Sequence, residues 1–306
     1  MISGTRKQTP GTTRRTLLTG GAAVTALALT AGQAHAGSAP RTHAGARLRE
    51  LEARHGARVG AFAYNVATGA SVRHRAAERF PICSLFKTVA AGAILRDLDR
   101  HGEVLAKRIH YTDADMVEEN SPITSKPENR AAGMTVAELA DAAIRYSDNT
   151  AGNLMLRELG GPRAITRFCR SLGDTRTRLD RWEPLLNTCE PWRVEDTTTP
   201  ASLAGTYARL VLGDALNPAD RERLTGWLLN NTTSDDRFRK GLPADWTVAD
   251  KTGGGDYGTN NNAGIAWTPD GTPIVLAVLT TKPDPDAPAD NPLVAAAAGI
   301  LAGAVT

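Results

Sequence analysis

Apolar residues recur with a helical period through the middle of the chain and alternate as in strands near its two ends. Leu48 and Leu51 fall on one face of a charged segment, which predicts an amphipathic helix over residues 46–55. Apolar and polar positions then alternate over residues 59–66, as in a strand, and a Thr-Gly turn follows. Helical periodicity marks four segments in the middle of the chain: residues 90–98, 136–145, 150–159 and 162–172.

Capping residues and glycines indicate where the helices in the middle of the chain begin and end. Thr135 and Asn149 have the side chains that N-caps prefer. Gly160, Gly161 and Gly173 follow periodic segments and are predicted to stop helices. The middle of the chain is therefore predicted to be all-helical.

The C-terminal part returns to a strand pattern before it ends in one more helix. Short strands are predicted at residues 246–249, 264–267 and 274–280, and a Pro-Asp-Gly turn joins the last two in a hairpin. The apolar run from Leu293 to Val305 is too short to span a bilayer and, with Asp290 as its cap, predicts a packed helix. The pattern favours an α+β fold: an antiparallel sheet covered by two terminal helices, with an inserted all-α domain and a cleft between them.

The first 36 residues have the features of an export signal. Arg14 and Arg15 precede a mild apolar stretch over residues 17–31, and Ala34-His35-Ala36 is a small-residue cleavage pattern. The paired arginines resemble a twin-arginine signal. The sequence therefore predicts a secreted, extracellular protein that is cleaved near Ala36.

Charge and cysteine content exclude several classes of function. Residues 1–36 hold four of the 36 basic side chains and no acidic one, which leaves 32 basic against 33 acidic side chains in the mature chain. This balance gives no support for nucleic-acid binding. The three cysteines allow at most one disulfide within the chain, are predicted to be ordinary buried thiols, and lack a histidine at metal-ligand spacing. We expect no metal, no cofactor, no membrane anchor in the mature form, and a monomer.

Ser84 and Lys87 are three residues apart in a segment predicted to begin a helix near Ile82. That spacing places the hydroxyl and the amine on one helix face, one turn apart. A serine becomes a nucleophile when a base removes its proton, and a lysine acts as that base when its pKa is lowered. The helix N-terminus also offers backbone N–H groups to an oxyanion. An ordinary surface helix start would show the same pattern.

Ser147-Asp148-Asn149 lies between two predicted helices. Ser and Asn both suit a helix N-cap, which is a sufficient structural reason for the segment. In the functional interpretation, Ser147 projects into the cleft as a proton relay and the Asn149 amide binds a substrate amide. The two interpretations are compatible.

Residues 181–187 belong to a long segment without periodicity, and such loops are uncommon unless they are functional. Glu183 is either a solvated loop carboxylate or, with Asn187, one of two groups that hold and deprotonate a water molecule. Arg181 and Asp196 stand at the two ends of the loop and are charged partners that would hold it closed if they are buried.

Lys251-Thr252-Gly253 follows a predicted strand, and Gly254 continues a flexible run. An ordinary hairpin turn would account for these residues. In the functional interpretation, an extended substrate pairs with the strand edge, and Lys251 and Thr252 bind its carboxylate. A backbone N–H just beyond them completes an oxyanion hole.

The conjunction of these segments, in this order, resembles the class A serine β-lactamases, whose motifs are Ser-x-x-Lys, Ser-Asp-Asn and Lys-Thr-Gly. The likeness extends over about residues 42–306 and is strongest to exported, actinobacterial members. It implies a five-stranded antiparallel sheet flanked by the terminal helices, and a signal peptide over residues 1–36. It also implies an α/β domain of residues 37–80 and 232–306, and an all-α domain of residues 81–231 that contains an Ω loop at about 180–197.

The resemblance implies a role for each motif residue. Ser84 would attack the β-lactam carbonyl, while the N–H groups of Ser84 and Gly254 stabilise the oxyanion. Ser147 would pass a proton to the leaving nitrogen, and Glu183 would activate the water that hydrolyses the acyl-enzyme. Either Lys87 or Glu183 could be the acylation base. The implied substrate-binding residues are Asn149, Asn187, Arg237, Lys251, Thr252, Gly253 and Gly254.

The sequence departs from the family pattern at three places. Asn260 stands where many members have an arginine that binds the substrate carboxylate, and we expect Arg237 to supply this cation. Asn120 stands where an aromatic residue is common at the cleft rim, which predicts a more polar rim. Cys83 is similar to a cysteine of some carbapenem-hydrolysing members, but Gly255 occupies the position of its disulfide partner. Carbapenemase activity is therefore not predicted.

Two other functions use the same nucleophile chemistry. A D,D-peptidase of the cell wall, or a β-lactam-sensing domain, would also acylate a serine. Both lack a positioned carboxylate that activates water, so Glu183 and Asn187 favour hydrolysis over either alternative.

Overall fold

The computed structural model describes residues 38–306, with side chains from His43 onward. The predicted signal peptide, residues 1–36, lies outside the described residues. The helices are α1 Ser38–His55, α2 Phe86–Ala93, α3 Glu103–Ala106, α4 Pro127–Ala132, α5 Val136–Arg145, α6 Asn149–Glu158, α7 Arg163–Ser171, α8 Pro200–Val211, α9 Pro218–Leu229, α10 Phe238–Gly241 and α11 Asn291–Val305. The strands are β1 Arg58–Asn65, β2 Ser71–His74, β3 Phe80–Pro81, β4 Arg108–Ile109, β5 Met134–Thr135, β6 Thr197–Thr198, β7 Thr247–Gly255, β8 Thr259–Trp267 and β9 Pro273–Thr281.

One five-stranded sheet forms the framework of the molecule. Its order is β2-β1-β9-β8-β7, and every neighbouring pair is antiparallel. Strands β7, β8 and β9 follow one another as hairpins, whereas β1 reaches the sheet from the N-terminal side and pairs with β9 from Arg58↔Thr281 to Asn65↔Ile274. The α+β fold with a five-stranded antiparallel sheet is thereby confirmed.

Apolar side chains cover both faces of this sheet, because successive residues of a strand point to opposite sides. On β9, Leu276 and Val278 belong to a core shared with α1 and α11. Val275 and Ala277, which alternate with them, belong to the core shared with the helices in the middle of the chain. The sheet therefore lies between the two terminal helices and the helical region, as predicted.

Helix α2 occupies the centre of the helical region. All eight of its residues are buried, and it contacts α5, α6, α7, α8 and α9. A helix that is apolar all round is expected to be a core helix. The buried Tyr207 hydroxyl of α8 donates to the carbonyl of Leu85 at 2.9 Å, which fixes the turn that leads into α2.

Three local predictions were wrong or incomplete. Asp148, and not Asn149, is the N-cap of α6, because its carboxylate accepts from the N–H of Ala151. Strand β7 continues to Gly255, so the Lys-Thr-Gly segment lies inside a strand and does not follow one. The glycines of this segment suggest a turn, but they pair with residues of β8. Helices α8 and α9 were not predicted. Thr135 and Asp290 are N-caps as expected.

In the described part of the chain, no helix combines the length and apolar character needed to cross a membrane. This includes α11, which contains the long apolar run near the C-terminus. The domain boundaries near residues 80 and 231 stay a prediction.

Candidate active site

Ser84 and Lys87 face each other at the start of the central helix. Ser84 lies in the short 3-10 turn Cys83–Leu85 that leads directly into α2, and Lys87 is in the first turn of the helix. Lys87 Nζ donates to Ser84 Oγ at 2.8 Å, so the i,i+3 spacing has the geometry of a base beside a nucleophile. Burial lowers the pKa of Lys87, although the neighbouring Glu183 opposes that effect.

Four oxygen atoms surround the Lys87 ammonium group, which is completely buried. Besides Ser84, they are the carbonyl of Ser147 at 2.8 Å, Oδ1 of Asn149 at 2.6 Å and Oε1 of Glu183 at 3.1 Å. Helix α6 approaches Lys87 so closely that a Cβ at Gly152 would lie 2.8 Å from Lys87 Cε. The glycine in the middle of α6 therefore makes room for the lysine.

Asp148 holds the Ser147-Asp148-Asn149 segment in place. Its buried carboxylate caps α6 and also accepts from the N–H groups of Ile123 and Thr124 at 3.0 and 2.9 Å. Ser147 has a positive φ of 59° that turns the chain between α5 and α6. Because a buried carboxylate with several donors is rigidly held, its two neighbours are fixed on the cleft side.

The Asn149 amide is already engaged with protein groups. Its Oδ1 accepts from Lys87, and its Nδ2 donates to the carbonyl of Glu119 at 2.8 Å. Asn120, at the predicted polar rim, is exposed and donates to the carbonyl of Ser147 at 2.8 Å. Both asparagines thus also position the residues beside Ser84.

Lys251 joins strand β7 to the helical side of the cleft. Its Nζ donates to Ser147 Oγ at 2.9 Å and to the carbonyl of Thr252 at 2.8 Å. The pKa of Lys251 is well below its usual value, first because the side chain is buried and second because of the nearby cation Lys87. The Thr252 hydroxyl lies against that of Thr233, a contact the sequence did not suggest.

Glu183 is brought to the nucleophile by the Ω loop. It is 4 % exposed, and its Oε1 accepts from Ser84 Oγ at 3.4 Å. Asn187 Nδ2 donates to the other carboxylate oxygen, Oε2, at 2.5 Å. The carboxylate is therefore aimed at the atom to which an acyl group would be attached.

Asn153 is a functional residue that sequence reasoning missed. From α6, its Oδ1 accepts from the N–H of Glu183 and its Nδ2 donates to the carbonyl of Glu183, both at 2.9 Å. A single amide side chain thus fixes both backbone groups of the loop glutamate. No local pattern marks this residue, because an asparagine within a polar helix face is common.

The two ends of the Ω loop are joined, as predicted, by Arg181 and Asp196. Arg181 Nε donates to Asp196 Oδ2 at 2.5 Å, and Asp196 Oδ1 accepts from the N–H groups of Asp180 and Arg181. Asp196 is only 1 % exposed. Because Asp196 is buried, removing one partner of this ion pair should cost more than it would for an exposed surface pair.

Arg237 lies at the far end of β7, beside the other predicted binding residues. Its Nη1 donates to the carbonyls of Gly253 and Asn261 at 3.0 and 2.9 Å, and burial lowers its pKa to about 10. Asn260 is completely buried and donates to the side chain of Asn291. Gly254 is exposed near the end of the strand.

The predicted residues do not all form one contact network. Hydrogen bonds and ion pairs of 2.5–3.4 Å connect Ser84, Lys87, Ser147, Asn149, Glu183, Asn187 and Lys251. Thr252, Gly253 and Arg237 lie along β7 and are joined to this group through the backbone of the strand. The arrangement supplies a nucleophile, two adjacent bases, a proton relay and a carboxylate for a water molecule, which together suit acyl transfer followed by hydrolysis.

Comparison with known proteins places the site in a family context. A model described as the beta-lactamase enzyme family matches residues 44–304. A β-lactamase of Streptomyces fradiae is 63% identical, with 96% of each chain covered, and one of Klebsiella oxytoca is 45% identical over 83% of this chain and 87% of its own. The solved β-lactamase from Streptomyces albus G, 61% identical, superposes with a TM-score of 0.83 over 85% of this chain and 98% of its own.

Proposed function

This chain belongs to the class A β-lactamases and hydrolyses β-lactam antibiotics, and we propose that Ser84 and Glu183 divide that reaction into acylation and deacylation. Ser84 is the nucleophile that opens the β-lactam ring. Glu183 activates the water that releases the product. This division is supported by the 3.4 Å distance from the Ser84 hydroxyl to the Glu183 carboxylate.

In the acylation step, the Ser84 hydroxyl loses its proton to a neighbouring base and attacks the β-lactam carbonyl. Lys87 at 2.8 Å and Glu183 at 3.4 Å are both within reach of Oγ. The N–H groups of Ser84 and Gly254 stabilise the oxyanion, and each such donor typically contributes about 10²–10³ in rate. Ser147 passes a proton to the leaving nitrogen, and Lys251 holds its hydroxyl at 2.9 Å.

Deacylation is the step that distinguishes the two candidate functions. Glu183, paired with Asn187 at 2.5 Å and aimed at Ser84, is the single observation that favours a hydrolase over a protein that only captures penicillin. Together these two side chains hold a water beside the acyl carbonyl, and the Glu183 carboxylate removes its proton. The ester is then hydrolysed, and the serine is regenerated.

The test compares turnover with trapping. Purified protein is mixed with excess chromogenic cephalosporin, and the wild type should turn over many equivalents. Glu183→Ala should give one burst and a stable acyl adduct by mass spectrometry, whereas Glu195→Ala, another acidic residue of the Ω loop, should turn over normally. A single burst from the wild type would sink the hydrolase proposal. Full turnover by Glu183→Ala would contradict only the assignment of Glu183 as the group that activates water.

Arg237 is proposed to supply the cation for the substrate carboxylate. It is fixed against the carbonyl of Gly253, within the strand along which the substrate lies. Arg237→Ala should raise KM for a carboxylated penicillin by about tenfold, because an ion pair to a desolvated carboxylate is lost. The methyl ester of the same penicillin lacks the charge and should show no such rise. An unchanged KM for the carboxylate would contradict this role.

Export through the twin-arginine route and a monomeric mature protein are proposed from the sequence. Arg14 and Arg15 precede the apolar segment and the small-residue cleavage pattern ends at Ala36. Replacing both arginines by lysine should leave activity inside the cells and remove it from the medium. Sedimentation of the mature protein should give the mass of one chain.

A further inference from the structure

Two of the three cysteines meet beside the nucleophile. The Sγ atoms of Cys83 and Cys189 are 3.5 Å apart, although 106 positions separate them in the sequence. Both are buried free thiols, as is Cys169. Cys83 immediately precedes Ser84, and Cys189 is two residues beyond Asn187 in the Ω loop.

Glycines of strand β7 make room for this contact. A Cβ at Gly255 would lie 2.5 Å from Cys189 Sγ and 2.4 Å from the carbonyl oxygen of Asn187. A Cβ at Gly253 would lie 3.2 Å from Cys83 Cβ. Sulfur atoms at 3.5 Å need to approach by about 1.5 Å to form a bond of ordinary length. A small movement of the loop side chain is sufficient.

Only one of the two thiols borders a surface cavity. Cys189 lines a cavity of about 820 Å³, whereas Cys83 is completely buried. Six basic side chains line the same cavity against two acidic ones, Glu52 and Glu190. Arg79 is one of the six, and it donates to the Arg176 carbonyl and to Thr197 rather than to a carboxylate. Four of the six are paired with carboxylates: Arg58, Arg75, Arg193 and Lys282. Arg49 and Arg79 give the cavity an excess of positive charge, which favours anionic molecules.

We propose that Cys83 and Cys189 form a redox-dependent disulfide and that an anionic low-molecular-weight disulfide, entering this cavity, is the oxidant. The Cys189 thiolate attacks one sulfur of the reagent and releases one thiolate. Cys83 then attacks the Cys189 sulfur of the mixed disulfide and releases the second thiolate. The protein loses two electrons and two protons, and the reagent is reduced to two thiols.

The bond would connect the segment of the nucleophile to the loop that carries the deacylating carboxylate. It closes a loop of about 100 residues, for which the chain-entropy model gives a large stabilisation, and the melting temperature should rise by about 5–15 °C. The contact with Cys189 and burial both raise the pKa of Cys83. Burial remains in the mixed disulfide, so the second step should accelerate at alkaline pH.

The experiment follows thiols and melting temperature in the same samples. Reduced wild-type protein is incubated at pH 8 with oxidised glutathione, which is anionic, or with cystamine, which is cationic. After unfolding and alkylation, mass spectrometry should show a protein two hydrogen atoms lighter, one alkylated residue at Cys169, and a cross-linked peptide pair. Oxidised glutathione should react at least about fivefold faster at low salt, and added salt should reduce the ratio.

Two variants and one unmodified comparison complete the test. Cys169→Ser should still form the bond, whereas Cys189→Ser should form none and show no oxidant-dependent rise in melting temperature. The oxidised and reduced wild type give the same comparison without any substitution. Three alkylated cysteines after prolonged oxidation, or a product that stops at glutathionylated Cys189, would overturn the disulfide. An equal or faster reaction with cystamine would overturn the cavity as the route of entry.

Discussion

The exchange Asn153→Ala removes the two hydrogen bonds that fix the backbone of Glu183. Each is 2.9 Å long, and a neutral hydrogen bond contributes about 0.5–1.5 kcal/mol net. The expected loss of stability is therefore about 1–3 kcal/mol, or about 3–9 °C in melting temperature. A carboxylate displaced by 1 Å can lose about 10² in rate, so turnover should fall more than stability alone would suggest.

The assay separates acylation from deacylation. Stopped-flow mixing of Asn153→Ala with a chromogenic cephalosporin should show a normal first burst, because Ser84 and Lys87 keep their contact. Steady turnover should then be ten- to a hundredfold slower than in the wild type. Quenched samples should contain the acyl-enzyme by mass spectrometry.

A control with a similar stability loss makes the result specific. Asn217 is the exposed N-cap of α9 and accepts from the N–H of Asp220 at 3.0 Å. Asn217→Ala should cost about 0.5–2 kcal/mol and leave turnover unchanged. Normal steady turnover in Asn153→Ala, or adduct accumulation in both variants, would refute the positioning of Glu183 by Asn153.

Three further predictions concern backbone space, charge and the Ω loop. Gly255→Ala should lower stability by about 1–3 kcal/mol and slow turnover, because its Cβ would lie 2.4 Å from the Asn187 carbonyl oxygen; Gly226→Ala, in open space on α9, should gain about 0.5–1 kcal/mol in the same calorimetric scan. Because burial lowers the pKa of Lys251, the unfolded chain binds more protons between that lowered value and 10.5, so the free energy of unfolding in urea should rise with pH in this window, and less so in Lys251→Met. Asp196→Asn should cost about 1.5–3 kcal/mol by urea denaturation, since it removes the charge of the buried carboxylate to which Arg181 Nε donates and leaves Glu190 as the carboxylate near Arg181; a loss below about 1 kcal/mol would contradict the importance of that ion pair.

Local sequence patterns were sufficient to predict the elements that position the nucleophile. The spacing of Ser84 and Lys87 places both groups on one face of the turn and helix that begin at Cys83. The terminal helices and the hairpin of β8 and β9 also follow from local sequence patterns, whereas the sheet order β2-β1-β9-β8-β7 does not. The extent of β7 does not either, because the glycines at 253–255 indicate a turn, and only pairing with Asn260 and its neighbours makes them a strand.

The contacts that sequence reasoning missed are between segments distant along the chain. Asn153 meets Glu183 across 30 positions, and Cys83 meets Cys189 across 106. Neither pair leaves a periodic signal, since each partner alone is an ordinary polar or apolar residue of its own segment. Tertiary packing around α2 determines both contacts. The contact between Thr233 and Thr252 is another that sequence reasoning missed.

The buried carboxylate of Asp148 has a consequence for how this active site can change. Four donor groups converge on it, from Ile123, Thr124 and Ala151, so an amide at this position would turn one acceptor into a donor facing other donors. Its neighbours Ser147 and Asn149 contact Lys87, and Ser147 also contacts Lys251. Substitutions that adapt the enzyme to a new antibiotic are thus constrained by folding at the middle residue of this triplet and by chemistry at its two ends.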